Sequence, residues 1–291
     1  MKNVFKKSYL PLIDRAVHHP TDADAAYSLY FKMRTEDGLD RLVAPEVLLL
    51  TRAAERGDAR AISELARHYY FDYGTEMIPY ALSWWRRAIL TGSDTVVREL
   101  AAHRGEMYRR ILAYGEGKSD FGNIVMKCAM LAEYILFEFG LADWARLSNA
   151  DRLLRCRTLV EVVSPILGIR PPAVNFVRGL SFVDEYGTRK IAYGLANPDW
   201  SLDILEDMVD NREWLVQVLF HELGHFVCFS CMGNSDNARR MRKIYGVTEE
   251  RSIGWNRGDR GIEIRTSEED PDTLSYSTYT AWAVLFADPT N

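Results

Sequence analysis

The chain has 291 residues, 47% hydrophobic and 26% charged, which is enough for one large domain or two modest ones with a sizeable core. A net charge of −5 with dispersed basic residues excludes the concentrated basic face of a nucleic-acid binder, and no run approaches the roughly 18 uncharged apolar residues of a membrane span. Four cysteines in so long a chain do not make a disulfide framework, so a reducing, cytoplasmic setting is expected.

The first segment, "MKNVFKKSYLPLIDRAV", has early lysines but neither the apolar core nor the small-residue cleavage site of a secretory signal. Export without a cleavable signal, into a host or target cell, fits the same sequence. Next comes a repeat. "RAAERGDARAISELA" (52–66) aligns with "RAILTGSDTVVRELA" (87–101) at an offset of 35. The match pairs Arg52 with Arg87, Ala53 with Ala88, Gly57 with Gly92, Asp58 approximately with Asp94, and Glu64-Leu65-Ala66 with Glu99-Leu100-Ala101. A weaker copy at 14–30 places Leu29 about one period before Leu65. A period in the mid-thirties predicts stacked helical hairpins: alanines let helices approach, glycine ends one helix, and apolar residues three and four apart face the neighbour.

These hairpins resemble Sel1-like repeats, relatives of the tetratricopeptide repeats. The best-matching unit is "ISELARHYYFDYG…YALSWWRRAILTG" (62–92), and the resemblance spans roughly 15–110. It implies protein–protein contacts for a domain covering residues 1–115; an unrelated helical bundle is the alternative. Residues 116–180 continue as helices ("NIVMKCAMLAEYILFEF", "ADRLLRCRTLVEVV") up to the Pro-Pro break at 171–172. Then "AVNFV", "GLSFVDEY", "KIAYGLA" and "WSLDILE", short and rich in aromatic and β-branched residues between turn signals, predict strands.

A long helix follows. Asp210, with Glu213 three residues on, predicts its cap, and Gly233 its stop. Between them "EWLVQVLFHELGHFVCFSCM" is apolar nearly all round, so the helix is expected to be buried on most sides. His221 and His225 are one turn apart on one face, with Glu222 one step round. Two imidazoles so spaced can converge on one tetrahedral zinc ion, and the neighbouring carboxylate can take the proton of a water attacking a carbonyl. The alternative is a buried helix whose histidines and glutamate are satisfied by core hydrogen bonds. Burial favours the metal, because an unpaired glutamate in an apolar helix is costly.

The stretch "IAYGLANPDWSLDILEDMVDNREWLVQVLFHELGH" (191–225) resembles the zinc metallopeptidases of the zincin group, in which two strands precede the HExxH helix. The resemblance implies zinc held by His221, His225 and a third ligand, with Glu222 as general base. It also implies an edge strand pairing with an extended peptide, expected near 200–205, though either hairpin arm could serve. No histidine follows 225. In the metzincin pattern Cys231 occupies the third-ligand slot, but Cys228 stands where the turning glycine belongs, so the helix is expected to continue and the Cys228/Cys231 pair to be small buried residues. In the gluzincin pattern a later helix supplies a glutamate. A helix capped by Asp270 with Pro271 at its first position is predicted here, but Tyr276 and Thr280 stand where acids belong, leaving Glu269 or Asp272 as substitutes. In the aspzincin pattern an aspartate follows soon after the helix, and "GNSD" offers Asp236, without the usual Gly-Thr. That likeness also implies that Tyr276 stabilises the oxyanion. Asp236 is the favoured third ligand, with Asp272 and Glu269 next.

The expectation is therefore a mainly α fold with a small sheet (α+β): a helical repeat domain over 1–115 and a zincin-like domain over 116–291. The function expected is a zinc-dependent peptidase acting on a protein recruited by the repeats, in the manner of a secreted bacterial effector. A catalytically silent zincin serving as a binding module is the rival.

Overall fold

A computed structural model describes residues 9–19, 22–37, 44–118, 121–137, 143–183, 186–231, 235–245, 252–255, 262–265 and 272–273. The chain is mainly helical with small sheets and divides into two compact units, Met1–Arg110 with Asp288–Asn291, and Ile111–Ala287. The division falls inside one helix, Asp94–Ala113.

The first unit contains helices α1 (Leu10–His18), α2 (Ala23–Asp37), α3 (Ala44–Glu55), α4 (Ala59–Phe71), α5 (Ile78–Leu90) and the larger part of α6 (Asp94–Ala113). Each of α1 to α4 packs on the next, and α4 on α5. In α4 the buried Ala61, Ile62, Leu65 and Ala66 fall on one helical face, as do Ile78, Ala81, Leu82, Trp85 and Ala88 in α5. Each fully buried leucine or isoleucine contributes roughly 1.5–3 kcal/mol.

The 35-residue offset recurs in backbone geometry. Gly57 and Gly92 both take left-handed φ, +86° and +82°, and each amide bonds a carbonyl three residues back. The next amides, of Asp58 and Ser93, reach Ala53 and Ala88 at 3.1 Å each, closing two matching helix ends. Ser93, not Asp94, is thus the counterpart of Asp58, whose carboxylate caps α4 by accepting from the Arg60 and Ala61 amides. Leu65 and Leu100 are buried alike, whereas Ala66 is buried and Ala101 exposed.

The second unit begins with α7 (Phe121–Ala132), which runs on into a π-helical turn (Glu133–Phe137), and packs on α8 (Asn149–Ile166). Cys128 and Cys156 are buried and unbridged, and burial pushes both thiols up to about 12. After the Pro-Pro break the four predicted segments appear as five strands, β1 (Ala173–Val177), β2 (Ser181–Val183), β3 (Arg189–Ile191), β4 (Gly194–Ala196) and β5 (Ser201–Leu205), because "KIAYGLA" divides between β3 and β4. One sheet has the order β1-β5-β4, with β1 parallel and β4 antiparallel to β5; β2 and β3 form a separate hairpin. Asp203 on the central strand accepts from Asn175 of β1 at 3.0 Å and from Asn197, just after β4, at 2.9 Å, fixing the register on both sides.

The sheet is followed by α9 (Arg212–Cys231), α10 (Ser235–Ile244) and a three-stranded sheet of β6 (Ser252–Trp255), β7 (Ile262–Arg265) and β8 (Asp272–Thr273). Here the structure departs from expectation. Residues 272–273, expected in the first turn of a helix, pair antiparallel with β7 instead; Asp270 and Pro271 lie outside the described residues.

Candidate metal centre

The helix α9 is buried on most sides, as its composition requires: Leu215, Val216, Leu219, Phe220, Leu223, Phe226 and Val227 are fully buried. It packs against β4, β5, β6, β7 and α10. The cap lies one residue later than predicted. Asn211 accepts from the Trp214 amide through its side chain at 3.1 Å, and its carbonyl takes the first helical bond from Leu215. Asp210 instead pairs with Arg152 of α8, a buried guanidinium that also donates to the Trp144 and Ala145 carbonyls and to Asn149.

His221, Glu222 and His225 each offer a ligand atom, and these atoms lie within 4.8 Å of one another. The two imidazoles stand edge to face, 5.1 Å between centroids at 82°, and Phe229 stacks on His225 from the next turn. All three residues line a cavity of about 920 Å³ that runs beside α9 from Trp214 to Phe229, with β4 along its wall.

The environment shifts two of these groups toward neutrality. Burial raises the Glu222 carboxyl to about 7, partly countered by a hydrogen bond from the Ala196 amide of β4. Burial, with the neighbouring His221, lowers His225 to about 4, so its ring is neutral and able to offer a lone pair at physiological pH. In the metal-free site a carboxyl near 7 exchanges its proton readily at neutral pH. Two imidazoles a helical turn apart, with a carboxylate beside them, suit a divalent ion such as zinc.

Strand β4 reaches α9 through Gly194. A side chain there would place its Cβ 2.5 Å from Val218 Cγ1 and 2.7 Å from Glu222 Cγ, so only glycine permits this approach. The Tyr193 carbonyl and the Asn197 amide bond to β5, which leaves the backbone groups of residues 194 and 196 on the other edge of β4. Among the described residues β4 is an edge strand, whereas β5 is flanked on both sides. The edge expected at 200–205 is therefore at Gly194–Ala196. Neither Gly194 nor the Ala196 amide stood out in the sequence; the glycine and alanine of "GLA", in a short strand before the helix, were the one available signal.

The other proposed ligands are placed differently. Asp236 lies in the first turn of α10 with its side chain 84% exposed and 3.3 Å from Arg239, and it does not join the His221–Glu222–His225 cluster. The helix continues through Cys228 and ends at Cys231, as the missing glycine at 228 implies. Asp272 lies in β8; Gly233, Glu269, Tyr276 and Thr280 fall outside the described residues. Among the described residues no other group of three such side chains converges in this way.

No protein-family model, curated protein or solved structure matches this chain. Its functional reading rests on the residues themselves.

Proposed function

We propose that the protein is a zinc-dependent metallopeptidase whose N-terminal helical hairpins contact protein substrates. The observation that carries the reading is one cavity holding two imidazoles a helical turn apart, a buried glutamate at about 7, and an edge strand. Bound zinc would polarise the scissile carbonyl and lower the pKa of water at the site. His221 and His225 would hold the ion through their ring nitrogens. Glu222 takes a proton from the attacking water and delivers it to the leaving amine, with the Ala196 amide fixing its carboxylate. The outer edge of β4 aligns an extended peptide by main-chain hydrogen bonds.

Among the described residues no helix is long and apolar enough to cross a membrane. The helical repeat period supports a role in protein contact, in the cytoplasm or in a cell that receives the protein.

The exposed placement of Asp236 favours a second reading, a peptide-binding module that does not cut. Incubation of the metal-replete chain with an unfolded protein mixture separates them. Cleavage abolished by chelation and restored by zinc supports the peptidase; cleavage that persists in chelator overturns it.

A further inference from the structure

We propose that the cavity selects peptides through a bulky apolar side chain, aromatic or large aliphatic, seated against Trp214, Tyr193, Ile191 and Phe182. The proposal rests on the peptidase reading only in taking the ligand to be an extended peptide.

Four large apolar residues that line the cavity remain open to solvent: Phe182 is 42%, Ile191 71%, Tyr193 48% and Trp214 47% exposed. Tyr193 and Trp214 meet edge to face at 5.9 Å. Burial against other described residues does not explain so much apolar surface in one place, and such patches mark binding sites.

The wall also lies where a peptide on β4 would meet it. Trp214 precedes His221 by seven residues on the same helical face, roughly 10 Å along the axis at 1.5 Å per residue. Tyr193 stands beside Trp214 and the Ala196 amide beside Glu222, so β4 runs along α9 from the aromatic wall to the cluster. An extended chain rises about 3.3 Å per residue, so a side chain within about three residues of the scissile bond reaches the wall. Apart from Glu222 and the two histidines the described lining is uncharged, so the wall itself offers a charged side chain no partner.

Binding tests this without catalysis. Fluorescein-labelled glycine-alanine peptides with one central Phe, Leu, Ala, Asp or Lys are titrated with the chelator-treated full chain, so that nothing is cut. The Phe and Leu peptides are expected to bind about 10-fold or more tighter than the other three. Trp214→Ala and Ile191→Ser, both at exposed positions, should each remove most of that preference. Equal binding of all five, binding of none, or a preference kept in both variants overturns the proposal. Zinc is then restored: a Phe peptide that binds with the stated preference but is not cut refutes the peptidase and upholds the selectivity.

Discussion

Gly194 and Glu222 are in direct apposition: a Cβ on the strand would stand 2.7 Å from the glutamate's Cγ and 2.9 Å from its Oε1. The strand that would carry the peptide and the carboxylate that would move the proton are thus set against each other by the absence of one side chain. Gly194→Ala is expected to push β4 off α9 and displace Glu222. Overpacking of this kind costs about 1–3 kcal/mol, and a displacement near 1 Å at a reacting group costs about 100-fold in rate. Urea denaturation and peptide hydrolysis read the two effects; wild-type values in both would contradict the apposition.

The shifts at Glu222 and His225 give the metal-free protein a specific pH profile. Folded Glu222 holds its proton more tightly than the unfolded chain does, so its contribution falls as pH rises from the ordinary 4.5 to about 7. His225 acts in reverse: its neutral form is favoured in the fold, so its contribution rises as pH climbs from about 4 to the ordinary 6.5. In wild type these two largely cancel between pH 4.5 and 6.5. Glu222→Gln removes the first, and the variant's stability should then rise by roughly 1.4 kcal/mol per pH unit relative to wild type across that window. Chemical denaturation of both chelated proteins at several pH values checks it; parallel profiles would contradict it.

The two helix-ending glycines and a mid-helix glycine respond oppositely to the same change. Gly57 and Gly92 have open space around them but left-handed φ, so alanine at either should cost about 1–2 kcal/mol from backbone strain alone. Gly105, inside α6 and also in open space, should gain about 0.5–1 kcal/mol as alanine. Thermal unfolding of the three variants gives the signs.

Asn211 caps α9 through its side chain. Asn211→Ala should cost about 1 kcal/mol, while Asn211→Asp, an equal cap with a charge favourable at a helix N-terminus, should keep the stability. Loss in both variants would place the role of Asn211 elsewhere.

Much of this was legible in the sequence because it depends on local pattern. Gly57 and Gly92 announced two equivalent helix ends, the four strand segments follow aromatic and β-branched residues between turn signals, and the apolar run of α9 required burial. What was not legible depends on tertiary contact. Asp210 reads as a cap, but Arg152, 58 residues away in sequence, takes its carboxylate and leaves the cap to Asn211. Residues 200–205 read as the edge strand, but β1 pairs with β5 and moves the edge to β4. Asp236 reads as a ligand from its distance along the chain, yet α10 carries it into solvent beside Arg239. Pro271 reads as a helix start, but β7 recruits the next residues into a sheet. The aromatic wall needs three elements together, which no window of sequence contains.

The most direct measurement is bound zinc and peptide hydrolysis on the same preparations of the purified full chain, as wild type, Glu222→Gln and His225→Ala. The expected result is one zinc per chain with hydrolysis in wild type, zinc retained with hydrolysis lost in Glu222→Gln, and both lost in His225→Ala. A wild-type chain that takes up no zinc when metal is supplied, or a Glu222→Gln chain that still hydrolyses peptides, would contradict the assignment of these three residues.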